Sequence, residues 1–114
     1  MSMTFTTREV SGVTIVDLSG KITLGEGGVT LREEVRKLLG EGKKKIVLNL
    51  ADVNYIDSSG LGELVSAYTA VKNGGGELKL LNLTSKVRDL LVITKLVTVF
   101  DVKDNEAAAV SSFA

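Results

Sequence analysis

The sequence predicts an α/β domain: a mixed, mainly parallel sheet of four to five strands, with about four helices. Three observations carry that prediction. Apolar runs of strand length alternate with helical stripes along the chain, the pattern of a layered α/β protein. The run Ile46-Val47-Leu48-Asn49-Leu50 is apolar at most positions, as suits a central strand covered by helices. Glycines, with no proline anywhere, punctuate the segments.

Each element has its own warrant. Residues 5–10 and 13–18 flank Ser11-Gly12, a short turn between two β-prone runs, which reads as a hairpin. In the second run Val13, Ile15 and Asp17 share one face, and Thr14, Val16 and Leu18 the other; Gly20 closes it. Residues 21–28 (Lys21-Ile22-Thr23-Leu24-Gly25-Glu26-Gly27-Gly28) read as a flexible connection. They are not a Walker phosphate loop, because no Gly-Lys-Ser/Thr follows at the required spacing. Residues 29–39 are helical by period: Leu31, Val35, Leu38 and Leu39 form one stripe, and Gly40 and Gly42 end it. Arg32, Glu33, Glu34, Arg36 and Lys37 read as the solvated face. Glu33 and Lys37 are an i, i+4 pair worth ~0.2–0.5 kcal/mol.

Residues 45–50 form the next strand, with Ile46, Leu48 and Leu50 on one face and Val47 and Asn49 on the other. Leu61, Leu64, Val65, Tyr68 and Val71 then recur with the helical period. Asp57, Ser58 and Ser59 are the candidate N-caps, and Asn73-Gly74-Gly75-Gly76 stops the helix. A strand follows over 77–81. Thr84 or Ser85 caps a helix with the stripe Val87, Leu90, Leu91 and Thr94. Residues 96–100 are β-branched and strand-like. Asn105 caps a last helix over 106–112, whose Ala109 and Val110, with Phe113, pack back. Crossover helices make neighbouring strands parallel. The parts belong to one domain, 1–114, with its core at about 5–113.

Composition excludes several functions. Lys+Arg and Asp+Glu are both 14, so net charge drives no general affinity for nucleic acid or anionic membrane. The cluster Lys43-Lys44-Lys45 reads as keeping a loop soluble. Without cysteine there is no disulfide, thiolate nucleophile or cysteine–zinc site. Without histidine there is no Ser-His-Asp triad and no imidazole metal ligand. Aromatics at 4% are too few for stacking platforms. No apolar run approaches the ~20 residues of a membrane-spanning helix. The N-terminus lacks a basic region followed by an apolar core, so it is no secretory signal. A cytoplasmic location, no direct nucleic-acid contact and no membrane insertion are expected.

The chemistry concentrates in Tyr55-Ile56-Asp57-Ser58-Ser59-Gly60-Leu61-Gly62, which leaves a buried strand and opens a helix. In open α/β sheets ligands bind at such carboxyl ends. Ser58 as a hydrolytic nucleophile would need Gly-x-Ser-x-Gly and a histidine base; neither is present, and no Ser-x-x-Lys lies near the turn. Asp57 as a metal ligand or phosphoacceptor would need Asp52 or Asp17 beside it, and an N-cap is the better reading. Ser58 as a phosphorylation site is physically sound. A phosphate adds about −1.5 to −2 charges, which the helix N-terminus would attract and Asp57 would repel. On chemistry alone, cap and switch remain equally open for Ser58.

The pattern resembles a known family. Ile46-Val47-Leu48-Asn49-Leu50, then Val53-x-Tyr55-Ile56-Asp57-Ser58-Ser59-Gly60-Leu61-Gly62, is similar to the STAS domain of bacterial anti-sigma factor antagonists. Gly74-Gly75-Gly76-Glu77-Leu78, Val87-x-x-Leu90-Leu91 and Phe100-Asp101 sit where that family has its later elements. The resemblance implies a STAS-type fold and a regulatory module rather than an enzyme. It implies that Ser58 is phosphorylated by an anti-sigma factor that is also a serine kinase. The unphosphorylated form would bind that kinase and free a sigma factor; the phosphorylated form would let go, until a serine phosphatase resets it. ATP and magnesium would sit on the kinase, and this chain would hold no cofactor. Asp57, Ser58, Ser59, Gly60, Leu61 and Gly62, with Ile22 and Thr23, would form the partner-binding surface. The chain departs from the family at one place. The common Gly-x-Leu-Asp pattern after the second strand is Gly20-Lys21-Ile22-Thr23 here, which bears on the partner's identity. STAS-like chains also serve as unphosphorylated scaffolds of sensory assemblies and as accessory subunits of lipid transporters. A small hydrolase or nucleotide-binding enzyme is a third reading.

Overall fold

The alternation read from the sequence becomes a layered sheet in a computed structural model that describes residues 3–23 and 26–113. Among these residues the elements run β1 (Thr4–Val10), β2 (Val13–Ile22), α1 (Glu26–Gly40), β3 (Lys45–Ile56), α2 (Ser58–Asn73), β4 (Glu77–Leu81), α3 (Ser85–Ile93), β5 (Asp101–Lys103) and α4 (Glu106–Ser111). The sheet has five strands in sequence order. β1 and β2 form the antiparallel hairpin; β2, β3, β4 and β5 are parallel, each joined by a helical crossover.

Strand alternation gives each face its own core. Val16, Leu18, Ile46, Leu48, Leu50 and Leu80 point to the face covered by α1, α2 and α3. Val13, Ile15, Val47 and Leu81 point to the other, where Ala109 and Phe113 of the C-terminal segment cover them. Each fully buried leucine or isoleucine is worth roughly 1.5–3 kcal/mol relative to exposure. The large face therefore carries most of the stability.

The structure corrects the sequence reading in five places. Gly20 does not close β2. The strand runs on to Ile22, because Gly20 takes a φ of 113° and absorbs a register shift against β3. The connection before α1 is shorter than expected: the helix starts at Glu26, so Gly27 and Gly28 are helical, while Leu24 and Gly25 fall outside the described residues. β3 continues past Leu50 to Ile56, with buried positions at Val53 and Ile56 after the shift. Glu34 is not on the solvated face of α1. It is 5% exposed and accepts a hydrogen bond of 2.9 Å from the Thr7 hydroxyl, which offsets its burial. Residues 96–100 are not a strand. Lys95 takes a left-handed φ of 63°, and the amides of Leu96 and Val97 turn back to the Leu91 carbonyl. Leu96, Val97 and Phe100 pack on the core without a ladder while Val99 stays exposed, and Phe100 meets Tyr68 edge-on at 5.4 Å. β5 begins only at Asp101.

A polar chain ties α4 to the sheet. Arg8 of β1 donates to Asp17 at 2.7 and 3.2 Å and to Glu106 at 3.0 and 2.6 Å, and Asn49 donates to Asp17 at 2.7 Å. Lys79, 5% exposed, donates to Asp101 at 2.8 Å and lies 4.8 Å from the Phe113 ring. Lys43, from the basic cluster, pairs with Glu9. Hydrogen bonds from Arg8 hold the Asp17 and Glu106 carboxyls below their ordinary values of 3.8 and 4.5. A depressed carboxyl stabilises the fold above its unfolded pKa, and that contribution is lost as pH falls through the folded value. Replacing Arg8 by leucine is expected to lower the melting temperature by a few degrees at pH 7, since these are partly exposed pairs. As pH falls through the depressed carboxyl values, the two proteins should melt more nearly together. Thermal melts across that range check this; an Arg8→Leu deficit that grows on acidification refutes it.

Candidate functional site

The site is the turn from β3 into α2, set against the end of β2. Ile22 is the register partner of Ile56, so the two parallel strands end side by side. The Asp57 amide donates to the Ile22 carbonyl at 3.3 Å. Asp57 is extended at the N-cap, and its carboxylate accepts from the Gly60 amide at 2.7 Å. Its carbonyl accepts from the Leu61 amide at 2.9 Å, the first helical bond. Of the three N-cap candidates, Asp57 takes the role, which leaves the Ser58 and Ser59 hydroxyls outside that bond. Both serines are exposed.

Gly60 is wedged under this turn. A Cβ there would lie 2.6 Å from the Ile22 carbonyl carbon and inside contact distance of its oxygen. Leu61, 5% exposed, anchors the first turn in the core. Gly62 faces solvent, and a Cβ on it would meet nothing within 4 Å. The two glycines of the motif thus do different things: one permits a close approach within the fold, the other keeps the outer surface low.

The loop after β2 is held against the same helix. Thr23 is half-buried, and its carbonyl accepts from the Gly28 amide at 3.0 Å. A Cβ on Gly28 would lie 2.9 Å from the Glu63 side chain, and Glu63 reaches Arg32 at 3.5 Å. Ile22, expected at the partner surface, is fully buried, and its carbonyl supports the turn instead. The structure therefore brings the eight expected residues together in two roles. Ser58, Ser59 and Gly62 are presented outward with part of Asp57 and Thr23, while Ile22, Gly60 and Leu61 position them. Sequence reasoning missed Gly27, Gly28 and Glu63 as packing partners of the site. It also missed Lys21, whose ammonium lies 5.9 Å from the Tyr55 ring. The glycine run was visible, but nothing in it specified that α2 would be its neighbour.

Among the described residues no cluster of three or more carboxylates could hold a metal ion, and no helix is long and apolar enough to cross a membrane. The arrangement is a small α/β domain that presents two exposed serines at an aspartate-capped helix N-terminus. The sequence profile of the STAS domain matches residues 4–109. The anti-sigma-B factor antagonist of Bacillus subtilis (strain 168) is 38% identical over 87 residues, covering 76% of this chain and 78% of that protein. A Thermotoga maritima crystal structure assigned as an anti-sigma factor antagonist superposes with a TM-score of 0.87 at 28% identity, over 95% of this chain and 92% of that one. The phosphorylated form of the Bacillus cell fate determinant SpoIIAA superposes at 0.74 over 97% of this chain and all of its own; at 18% identity it speaks to the fold alone. The chain belongs to the STAS domain family of anti-sigma factor antagonists.

Proposed function

We propose that this protein is a cytoplasmic, phosphorylation-gated antagonist. Its unphosphorylated form binds an anti-sigma factor that is also a serine kinase, and so releases a sigma factor. Ser58 accepts the phosphate, the phosphoprotein dissociates, and a serine phosphatase restores it. ATP and magnesium belong to the kinase, and this chain contributes the hydroxyl and the docking surface, not catalysis.

The observation that carries the reading is the division of labour at the start of α2. Asp57 caps the helix, so the exposed Ser58 hydroxyl is not the cap's acceptor. The similarity to an anti-sigma-B factor antagonist over three quarters of the chain supports the partner class. A phosphate on Ser58 would place about −1.5 to −2 charges at the first turn, beside Asp57. The helix N-terminus offsets only part of that charge, worth ~0.3–1 kcal/mol at an exposed site. The remainder opposes any partner that covers the turn.

The test is direct. The kinase of the same genome, ATP and magnesium should add a single phosphate, and peptide mapping should place it on Ser58. The Ser58→Ala variant should take up none. Equal incorporation into that variant, or mapping to another residue, overturns the site.

A further inference from the structure

We propose that Asn73 is a self-modifying residue. Its side-chain amide is lost to attack by the Gly74 nitrogen, which leaves aspartate or isoaspartate at the end of α2, and opening of the last helical turn sets the rate. The inference is independent of the reading of Ser58.

The chain has five asparagines, and Asn73 alone is followed by glycine. The other four precede Leu50, Tyr55, Leu83 and Glu106. A side chain on the following residue crowds the approach of its nitrogen to the asparagine amide; glycine has none. Asn73 and Gly74 are both exposed, so solvent reaches the amide and the nitrogen. The reaction balances with water alone. Solvent base removes the Gly74 amide proton. The nitrogen then bonds to the Asn73 side-chain carbonyl carbon, and the bond from that carbon to the side-chain nitrogen breaks. Ammonia leaves with a proton taken from water, and a succinimide ring remains. Water opens the ring at either carbonyl. One opening gives aspartate; the other gives isoaspartate, in which the main chain runs through the side-chain carbon.

The fold slows this reaction without abolishing it. Asn73 is the last residue of α2, and Gly74 is its C-cap. The Gly74 amide donates to the Ala70 carbonyl at 3.1 Å, and the Gly75 and Gly76 amides donate to the Lys72 and Val71 carbonyls at 3.0 and 2.9 Å. While these bonds stand, the attacking nitrogen keeps its proton, and ring closure needs Asn73 to leave its helical ψ. Terminal turns open at a small fraction of the cost of global unfolding, so the folded protein reaches the reactive geometry. The product changes the molecule. A carboxylate here faces the negative end of α2 and adds one charge to a chain whose charges balance. Isoaspartate also lengthens the main chain just before a packed turn. A Cβ on Gly76 would lie 3.0 Å from the Lys44 Cα, and the Glu77 amide donates to the Lys44 carbonyl at 2.8 Å. The turn that starts β4 beside β3 would have to shift.

The experiment incubates the full chain in neutral buffer at body temperature, folded and, in parallel, unfolded in guanidinium chloride. Cleavage after glutamate isolates the peptide 64–77. Its gain in mass reports loss of the amide, and its fragment ions separate aspartate from isoaspartate. Asn73 should convert before any other asparagine, and about tenfold more slowly in the folded chain than in the unfolded one. Denaturant below the unfolding transition should leave the folded rate nearly unchanged, because opening one turn exposes little surface. Gly74→Ala adds a Cβ at ordinary contact distances, 3.4 Å from the Ala70 carbonyl oxygen and 3.6 Å from Leu39, so that variant should fold and convert several-fold more slowly. The isoaspartate fraction should melt below the unmodified protein. Earlier conversion of another asparagine overturns the proposal, as do equal rates in the folded and unfolded chains. So does a folded chain that never converts while the unfolded chain does. A folded rate that climbs in step with global unfolding overturns it too, as does a Gly74→Ala protein that melts and converts like the wild type.

Discussion

Replacing Gly60 by alanine should lower the stability of this protein by about 2 kcal/mol. The physical cause is a single close approach. The added Cβ would sit 2.6 Å from the Ile22 carbonyl carbon and within contact of its oxygen. That carbonyl cannot swing away freely, because it accepts the Asp57 amide. α2 cannot lift away either, because Leu61, Leu64 and Val71 are buried beneath it. Overpacking of this kind costs roughly 1–3 kcal/mol. Taking the upper end, and returning up to about 1 kcal/mol for the better helix propensity of alanine, leaves the net figure. For a domain of this size the melting temperature should fall by about 8 °C. A urea titration and a thermal melt measure it. A Gly60→Ala protein that melts with the wild type would mean that the strand end and the helix start are not pressed together.

The control is two residues away. Gly62 has open space around its missing Cβ. Gly62→Ala should therefore stabilise the protein by about 0.5–1 kcal/mol, the ordinary gain of replacing glycine inside a helix. If the partner covers this turn closely, as proposed, the same change should weaken binding. Opposite signs for stability and affinity at Gly62, against a plain loss of stability at Gly60, separate the glycine the fold needs from the glycine the surface uses.

How far the sequence was legible follows from what kind of signal each residue sends. Period 2 and period 3.6 patterns identified every strand and helix in order except β5, because burial of a face repeats along an element. They also separated Ile46, Leu48 and Leu50 from Val47, and the structure places these in different cores. Residues 96–100 misled because apolar residues reach a core equally well from a turn: Leu96, Val97 and Phe100 pack on it, while the β-branched Thr98 and Val99 stay exposed. Glu34 misled because a charge on a helix is normally solvated, and its partner Thr7 lies 27 residues away. The Asp-Ser-Ser-Gly turn stood out by composition, but its N-cap did not, since aspartate and serine cap equally well. Only the backbone shows that Asp57 bonds the Gly60 amide. Likewise, no local signal said that Ile22 would be buried under the turn instead of displayed beside it.

That rigid mounting decides what a charge at Ser58 does, and yields the largest effect expected. A Ser58→Asp variant should bind the partner kinase about 100-fold more weakly than Ser58→Ala, roughly 2.7 kcal/mol. Aspartate adds one negative charge at the first turn, beside Asp57, where a docked partner would desolvate both; like charges so placed cost several kcal/mol. The helix cannot relieve the cost by shifting, because Gly60 is wedged against Ile22 and Leu61 is buried. In the free protein the same aspartate is favourable. It faces the positive end of α2 and should leave stability unchanged or raise it by about 0.5 kcal/mol. Ser58→Ala removes one exposed hydroxyl and should keep wild-type affinity within about threefold, because the cap is made by Asp57. Titration calorimetry of the three proteins against the kinase reads the affinities, and thermal melts read the stabilities. Weaker binding by a protein that is no less stable can only come from the interface. If Ser58→Asp and Ser58→Ala bind equally, charge at this turn does not govern the partner, and the gate lies elsewhere.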